Sequence, residues 1–238
     1  GATPKERRPI LDKLRKRGRA DLLAQLANAP DTSPTDSAKY WLASANVHLA
    51  ASRTVEAAHA SRAAINAVRT LDTDGQDSVK GQAGVTLALA GEDEAAAALA
   101  AELTGRLRDT LGERDATVMA ILAALGRVEE ADAIVARAPK REGDMMAAMV
   151  ANLLATRDVA AGVQRIANLL PPDLKTATKL QVATFLVGVG HVADAMQLLD
   201  GRWTTLAGPI LRALTRRLAD AGRLRDALTM AGHAGDMH

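Results

Sequence analysis

Residues 126–131 read GRVEEA, and the same pattern returns as GHVADA at 190–195 and GRLRDA at 222–227. Each is a glycine, a helix-starting segment, and an alanine five positions on. Outward from these three, the arrangement occurs seven times: Gly18 to Leu23, Ser52 to Ala57, Gly91 to Ala96, Gly126 to Ala131, Arg157 to Gly162, Gly190 to Ala195 and Gly222 to Ala227. The starts lie 34, 39, 35, 31, 33 and 32 residues apart. A recurrence at this interval is the mark of a stacked-repeat architecture, in which each unit is one supersecondary element. Six of the seven fifth positions are Ala or Gly, in register behind the turns, and that is the signal; 51 alanines in 238 residues make a single match worthless.

Each period divides into two helices. Apolar residues recur at three and four residues, as in Leu180, Ala183, Leu186 and Val187, the spacing of one helix face. Sustained alternation of period two, the strand signal, is missing. First helices are predicted near 38–51, 77–90, 113–125, 143–155, 174–189 and 208–221. Second helices are predicted near 19–28, 53–70, 92–108, 127–138, 158–169, 191–200 and 223–234. Pro- and Gly-containing turns separate the pairs, among them Ala29 to Ser37, Asp72 to Gln76 and Pro139 to Gly143. Glu92, Asp93 and Glu94, then Glu129 and Glu130, Asp158 and Asp194 follow the markers. Carboxylates there complement the partial positive charge of a helix N-terminus, so they read as caps rather than catalytic acids.

A helix–turn–helix unit of about 34 residues with these small positions resembles the tetratricopeptide repeat. The family's small residue early in the second helix is matched by Ala57, Ala96, Ala131, Gly162, Ala195 and Ala227. Its small residue midway along the first helix is matched by Ala45, Gly84 and Ala183, with departures at Met119, Val150 and Thr215. Its Trp near the start of the first helix is matched once, by Trp41. Late in the second helix Val135, Ile166 and Leu199 fit, while Ser61, Ala100 and Ala231 do not. The resemblance covers nearly the whole chain. It implies an all-α fold, a right-handed α-solenoid of antiparallel helix pairs, as a single domain over 1–238. Within it lie a basic N-terminal helical segment at 1–30 and pairs at 37–71, 77–108, 113–138, 143–169, 174–200 and 208–235. Small residues at these sites let facing helices approach, and the array is a one-dimensional series of neighbour interfaces.

Composition excludes several function classes. The chain has no Cys, which removes disulfides, thiolate metal sites and thiol catalysis together. Aromatic residues make up 2 % of it, too few for the stacking platforms of single-strand binders. No apolar run has the roughly 18 residues of a membrane span, and no signal peptide is read. The net charge is +2, yet residues 1–20 alone carry +6, which leaves the other 218 at −4. The basic segment reads as a solvated helix face, with attraction to nucleic acid or acidic lipid as the sharper alternative.

The five His (His48, His59, His191, His233, His238) form no His-Glu-x-x-His pair, and no Gly-x-Ser-x-Gly or phosphate-cradling loop occurs. His48 falls on the core-facing stripe of its helix and reads as packing. The tail from His233 through Asp236 to His238 carries metal-ligand types, but reads as a frayed end. The expectation is a protein without catalytic residues, cofactor or metal. In tetratricopeptide proteins the first helices line the concave groove, which places Lys39, Asn46, Gln181, Thr184, Arg212 and Arg216 there for binding a peptide or partner protein. Arg212 and Arg216, one turn apart, can clamp a carboxylate. Ala116, Ala120, Ala147 and Ala151 give the central groove a small apolar floor, suited to a helical ligand or to a second copy of the chain. The alternative is an RNA-binding array of pentatricopeptide type, which needs a basic groove the body of the chain lacks. Ala- and Arg-rich units with GRxxEA-like openings are also similar to repeat regions of bacterial exopolysaccharide-export proteins, which implies the periplasm rather than the cytoplasm.

Overall fold

The computed structural model describes residues 11–15, 17–105, 112–169, 183, 215–216, 219 and 224–235. Among them every regular element is a helix. In chain order these are α1 (Ala20–Ala27), α2 (Pro34–Ala50), α3 (Thr54–Ala67), α4 (Thr73–Leu89), α5 (Asp93–Thr104), α6 (Glu113–Ala124), α7 (Val128–Val135), α8 (Lys140–Ala155), α9 (Val159–Leu169) and α10 (Leu224–Gly235). The first-helix and second-helix alternation follows the sequence reading through α9. Three first helices, α2, α4 and α8, begin three or four residues earlier than expected, and for α2 and α4 the reason is that capping residues lie inside the supposed turns. Ser33 Oγ accepts from the Asp36 amide at 3.2 Å with Pro34 as the first helical residue, and Asp72 Oδ1 accepts from the Gly75 amide at 2.8 Å. Proline loses nothing at that position, where its missing N–H has no intrahelical partner.

The repeat markers have a common backbone cause. Gly18, Ser52, Gly91 and Gly126 all have positive φ, at 66°, 56°, 86° and 77°. At each, the marker amide donates to the carbonyl three residues back and the next amide reaches five back, as in Gly126 to Ala123 (3.0 Å) and Arg127 to Leu122 (2.9 Å). Arg53 to His48, Glu92 to Leu87 and Arg19 to Leu14 complete the set, at 2.9, 2.9 and 3.0 Å. This doubly bonded left-handed stop satisfies the last carbonyls of the first helix and fixes the angle at which the chain turns back. The following residue repeats too: Arg19, Arg53, Glu92 and Arg127 have φ between −81° and −94° and ψ between 59° and 77°. The fifth marker, Arg157, is built differently. It has no positive φ, and Asp158 instead caps α9 by accepting from the Ala161 amide at 2.9 Å. A β-carbon makes the left-handed state costly; Ser52 adopts it all the same, whereas the Arg157 joint does not.

Residues 1–146 and 147–238 form two compact units. In the first, α2 packs on α1, α3 and α4; α4 packs on α3, α5 and α6; and α6 packs on α5 and α7. Each first helix therefore touches its own second helix and the first helix of the next pair. The small positions make this contact: Ala45, Ala57, Ala96 and Ala131 are fully buried. At Gly81 an added Cβ would fall on the Thr117 methyl, and at Gly84 it would lie 2.6 Å from Ile121 Cδ1. At three positions that depart from the expected residue sizes the residues are still core: Met119 and Ala100 are buried, and buried Ser61 donates its hydroxyl to the Ala57 carbonyl at 2.9 Å. Two buried carboxylates, Asp77 and Asp115, are held by arginines, Asp77 by Arg114 of α6 at 2.8 Å and Asp115 by Arg137 at 3.1 Å. In the second unit, Gly162 of α9 lies against α8, where an added Cβ would stand 2.6 Å from Ala155 Cα.

Candidate binding cleft and first-helix face

An open cleft of about 620 Å³ forms where α1, α2 and α3 meet, a size within the range of ligand sites. Ala20, Ala24 and Ala60 give it an apolar floor, and Trp41, Ser44 and His48 of α2 form one wall. Val55 and His59 of α3 form the other, with exposed Asp21, Arg53 and Glu56 at the mouth. The three α2 residues are spaced three and four apart, so they share one face. The alanines leave room: side chains this short keep the backbones close without filling the space between the helices.

The polar groups around the cleft differ in how far they are satisfied. Ser44 is buried and donates to the Ala20 carbonyl at 3.2 Å, tying α2 to α1. Arg19 grips Asp21 through Nε at 2.9 Å and a terminal nitrogen at 2.6 Å. That hydrogen bond holds the Asp21 carboxyl down at about 2. The Trp41 and His59 rings meet edge to face, centroids 6.3 Å apart, a favoured aromatic geometry. His48 Nδ1 is enclosed in the wall without a hydrogen-bond partner. Burial, then the positive charge of Arg53, pushes the His48 pKa down, with His59 acting the same way and Glu56 opposing. Its imidazole is thereby biased to the neutral form, in which one ring nitrogen accepts and the other donates. His48 is thus only half-buried, and its ring lines a cleft rather than a closed core.

The sequence-predicted groove residues lie elsewhere. Lys39 and Asn46 are exposed and seven residues apart, so they share a face of α2; Lys39 stands 3.8 Å from Asp36. At 3.6 residues per turn that face is opposite Trp41, Ser44 and His48. On α4 Ser78 and Gln82 are exposed, but of the alanines expected to floor the central groove Ala116 and Ala147 are half-buried and Ala120 and Ala151 are buried in the core. Arg216 is helical and exposed. Gln181, Thr184 and Arg212 lie outside the described residues, as do His191, the tail from Asp236, and residues 1–10 and 16 of the basic segment. The expected capping acids stand in first turns: Asp93 and Glu94 in α5, Glu129 and Glu130 in α7. Among the described residues no group of three His, Asp or Glu side chains is placed to hold a metal ion, and no helix is long and apolar enough to cross a membrane. Sequence reasoning missed the cleft because Trp41, Ser44 and His48 have the spacing of a core stripe. The chain matches no protein-family profile, and neither a curated protein nor a solved structure is significantly similar to it.

Proposed function

We propose that the chain is a non-catalytic scaffold, a right-handed α-solenoid of tetratricopeptide type that binds a peptide or partner protein along the face of its first helices. The observation that supports it is the succession α2, α4, α6, each packed directly on the next. Side-by-side first helices give a continuous surface on which an extended or helical segment can bridge several repeats, with Lys39 and Asn46 at one end. Affinity then accumulates over many weak contacts rather than from one deep pocket. Arg216, with Gln181, Thr184 and Arg212, extends the same proposal toward the C-terminus.

Site-specific photo-cross-linking tests this reading. A photoreactive residue at Lys39, Asn46 or Ser78 should capture a common polypeptide, and one at exposed Glu94 on a second helix should not. Equal capture at all positions, or recovery of nucleic acid instead of protein, would overturn it.

A further inference from the structure

The four equivalent turns show one anomaly. The residue after each left-handed marker is charged, and in three turns that charge is engaged. Arg19 holds Asp21; Glu92 takes a short ion pair from Arg62 of α3; and Arg127 closes on Glu130 through two contacts of 2.6 Å. The second turn has the same i, i+3 pair of types, Arg53 and Glu56, on the same backbone. There the two do not meet: among the described residues Arg53 forms no ion pair, Glu56 forms none, and both are exposed at the cleft mouth. Val55 between them is 78 % exposed, and His48 Nδ1 in the wall below has no partner. The Arg127 turn shows that this Arg and Glu spacing closes on the same backbone, so the open pair at Arg53 and Glu56 leaves two opposite charges beside an apolar floor, available to a ligand that carries both.

We propose that this cleft seats one large apolar side chain of a partner polypeptide, flanked by an acidic residue that pairs with Arg53 and a basic residue that pairs with Glu56. The apolar side chain enters between Trp41 and the alanines of α1 and α3, and the two charges select the segment rather than supply most of its affinity. The site lies on the opposite side of α2 from Lys39 and Asn46. It is therefore a second docking site, and it stands or falls independently of the first-helix face.

Three blocked, alanine-based helical peptides test it, each with one central Leu flanked at one turn on either side by Glu and Lys, by two Glu, or by two Lys. Binding is read from Trp41 emission in a Trp203→Phe background. The mixed peptide should bind about fivefold more tightly than either like-charged one, an effect in the range of partly exposed ion pairs. Glu56→Gln should move the preference to the two-Glu peptide and Arg53→Gln to the two-Lys peptide. Both substitutions are at exposed positions, and unchanged circular dichroism would show the fold intact. No saturable change in Trp41 emission, or the same order of preference in both variants, would overturn the proposal. A dimer seen by sedimentation equilibrium and lost in both variants would overturn it too, by assigning the cleft to a second copy of the chain.

Discussion

Ser52 is the sole non-glycine residue among the described positions with positive φ, and it occupies the place that Gly18, Gly91 and Gly126 fill elsewhere. Its β-carbon meets backbone oxygen in that conformation, a cost glycine does not carry. Ser52→Gly should therefore raise stability by about 0.5–1 kcal/mol in urea unfolding. Gly162 presents the opposite case. Its absent Cβ would collide with the Ala155 backbone, which cannot swing aside. Gly162→Ala should cost about 1–3 kcal/mol by overpacking, although alanine is the better helix former. Chemical denaturation in parallel with Gly84→Ala supplies the control, because Gly84 faces the flexible end of Ile121 and the shift there should be much smaller. His48 makes a pH prediction. Its folded pKa lies below the ordinary 6.5, so the unfolded chain binds the proton more readily. The contribution to stability is complete above pH 6.5 and is lost as pH falls through that value and then through the folded pKa. His48→Gln should flatten the fall in melting temperature between pH 7.5 and 5; an unchanged slope would contradict the assignment.

At the scale of elements, the four left-handed turns explain why the helix pairs were legible in the sequence. Glycine at a fixed interval reports a backbone demand, and the backbone meets it at 18, 91 and 126. The Arg157 joint was legible as a boundary but not as a turn type, since Asp158 capping replaces the left-handed residue. The starts of α2 and α4 were misjudged because Pro34 and Thr73 look like loop in sequence, while Ser33 and Asp72 cap the helices ahead of them. The cleft was not legible. It depends on side chains from three helices and on Arg53 and Glu56 standing apart, which one-dimensional spacing does not carry. Contacts between elements are polar as well as small. Arg114 of α6 binds both Asp74 and Asp77 of α4, at 2.9 and 2.8 Å. Arg114→Met should leave buried Asp77 without its cation and cost about 2 kcal/mol, below the range for a fully buried pair because Arg114 is partly exposed. Asp77→Asn in the same background should recover part of that loss, as a double-mutant cycle will show.

Within the first unit, the first helices α2, α4 and α6 of successive pairs lie directly against one another. Small residues set that distance, and Gly81 of α4 lies close against Thr117 of α6. An added Cβ at Gly81 would lie 3.2 Å from Thr117 Cβ, slightly inside the separation a disulfide spans. The chain has no cysteine of its own, so an engineered pair is the only one that can form. The double variant Gly81→Cys, Thr117→Cys should close an intrachain disulfide under mild oxidant, run faster on a non-reducing gel and melt at a higher temperature when oxidised. Two thiols that stay free in a chain that is still helical and cooperatively folded would show that these helices are not neighbours, and would contradict the stacked-pair account.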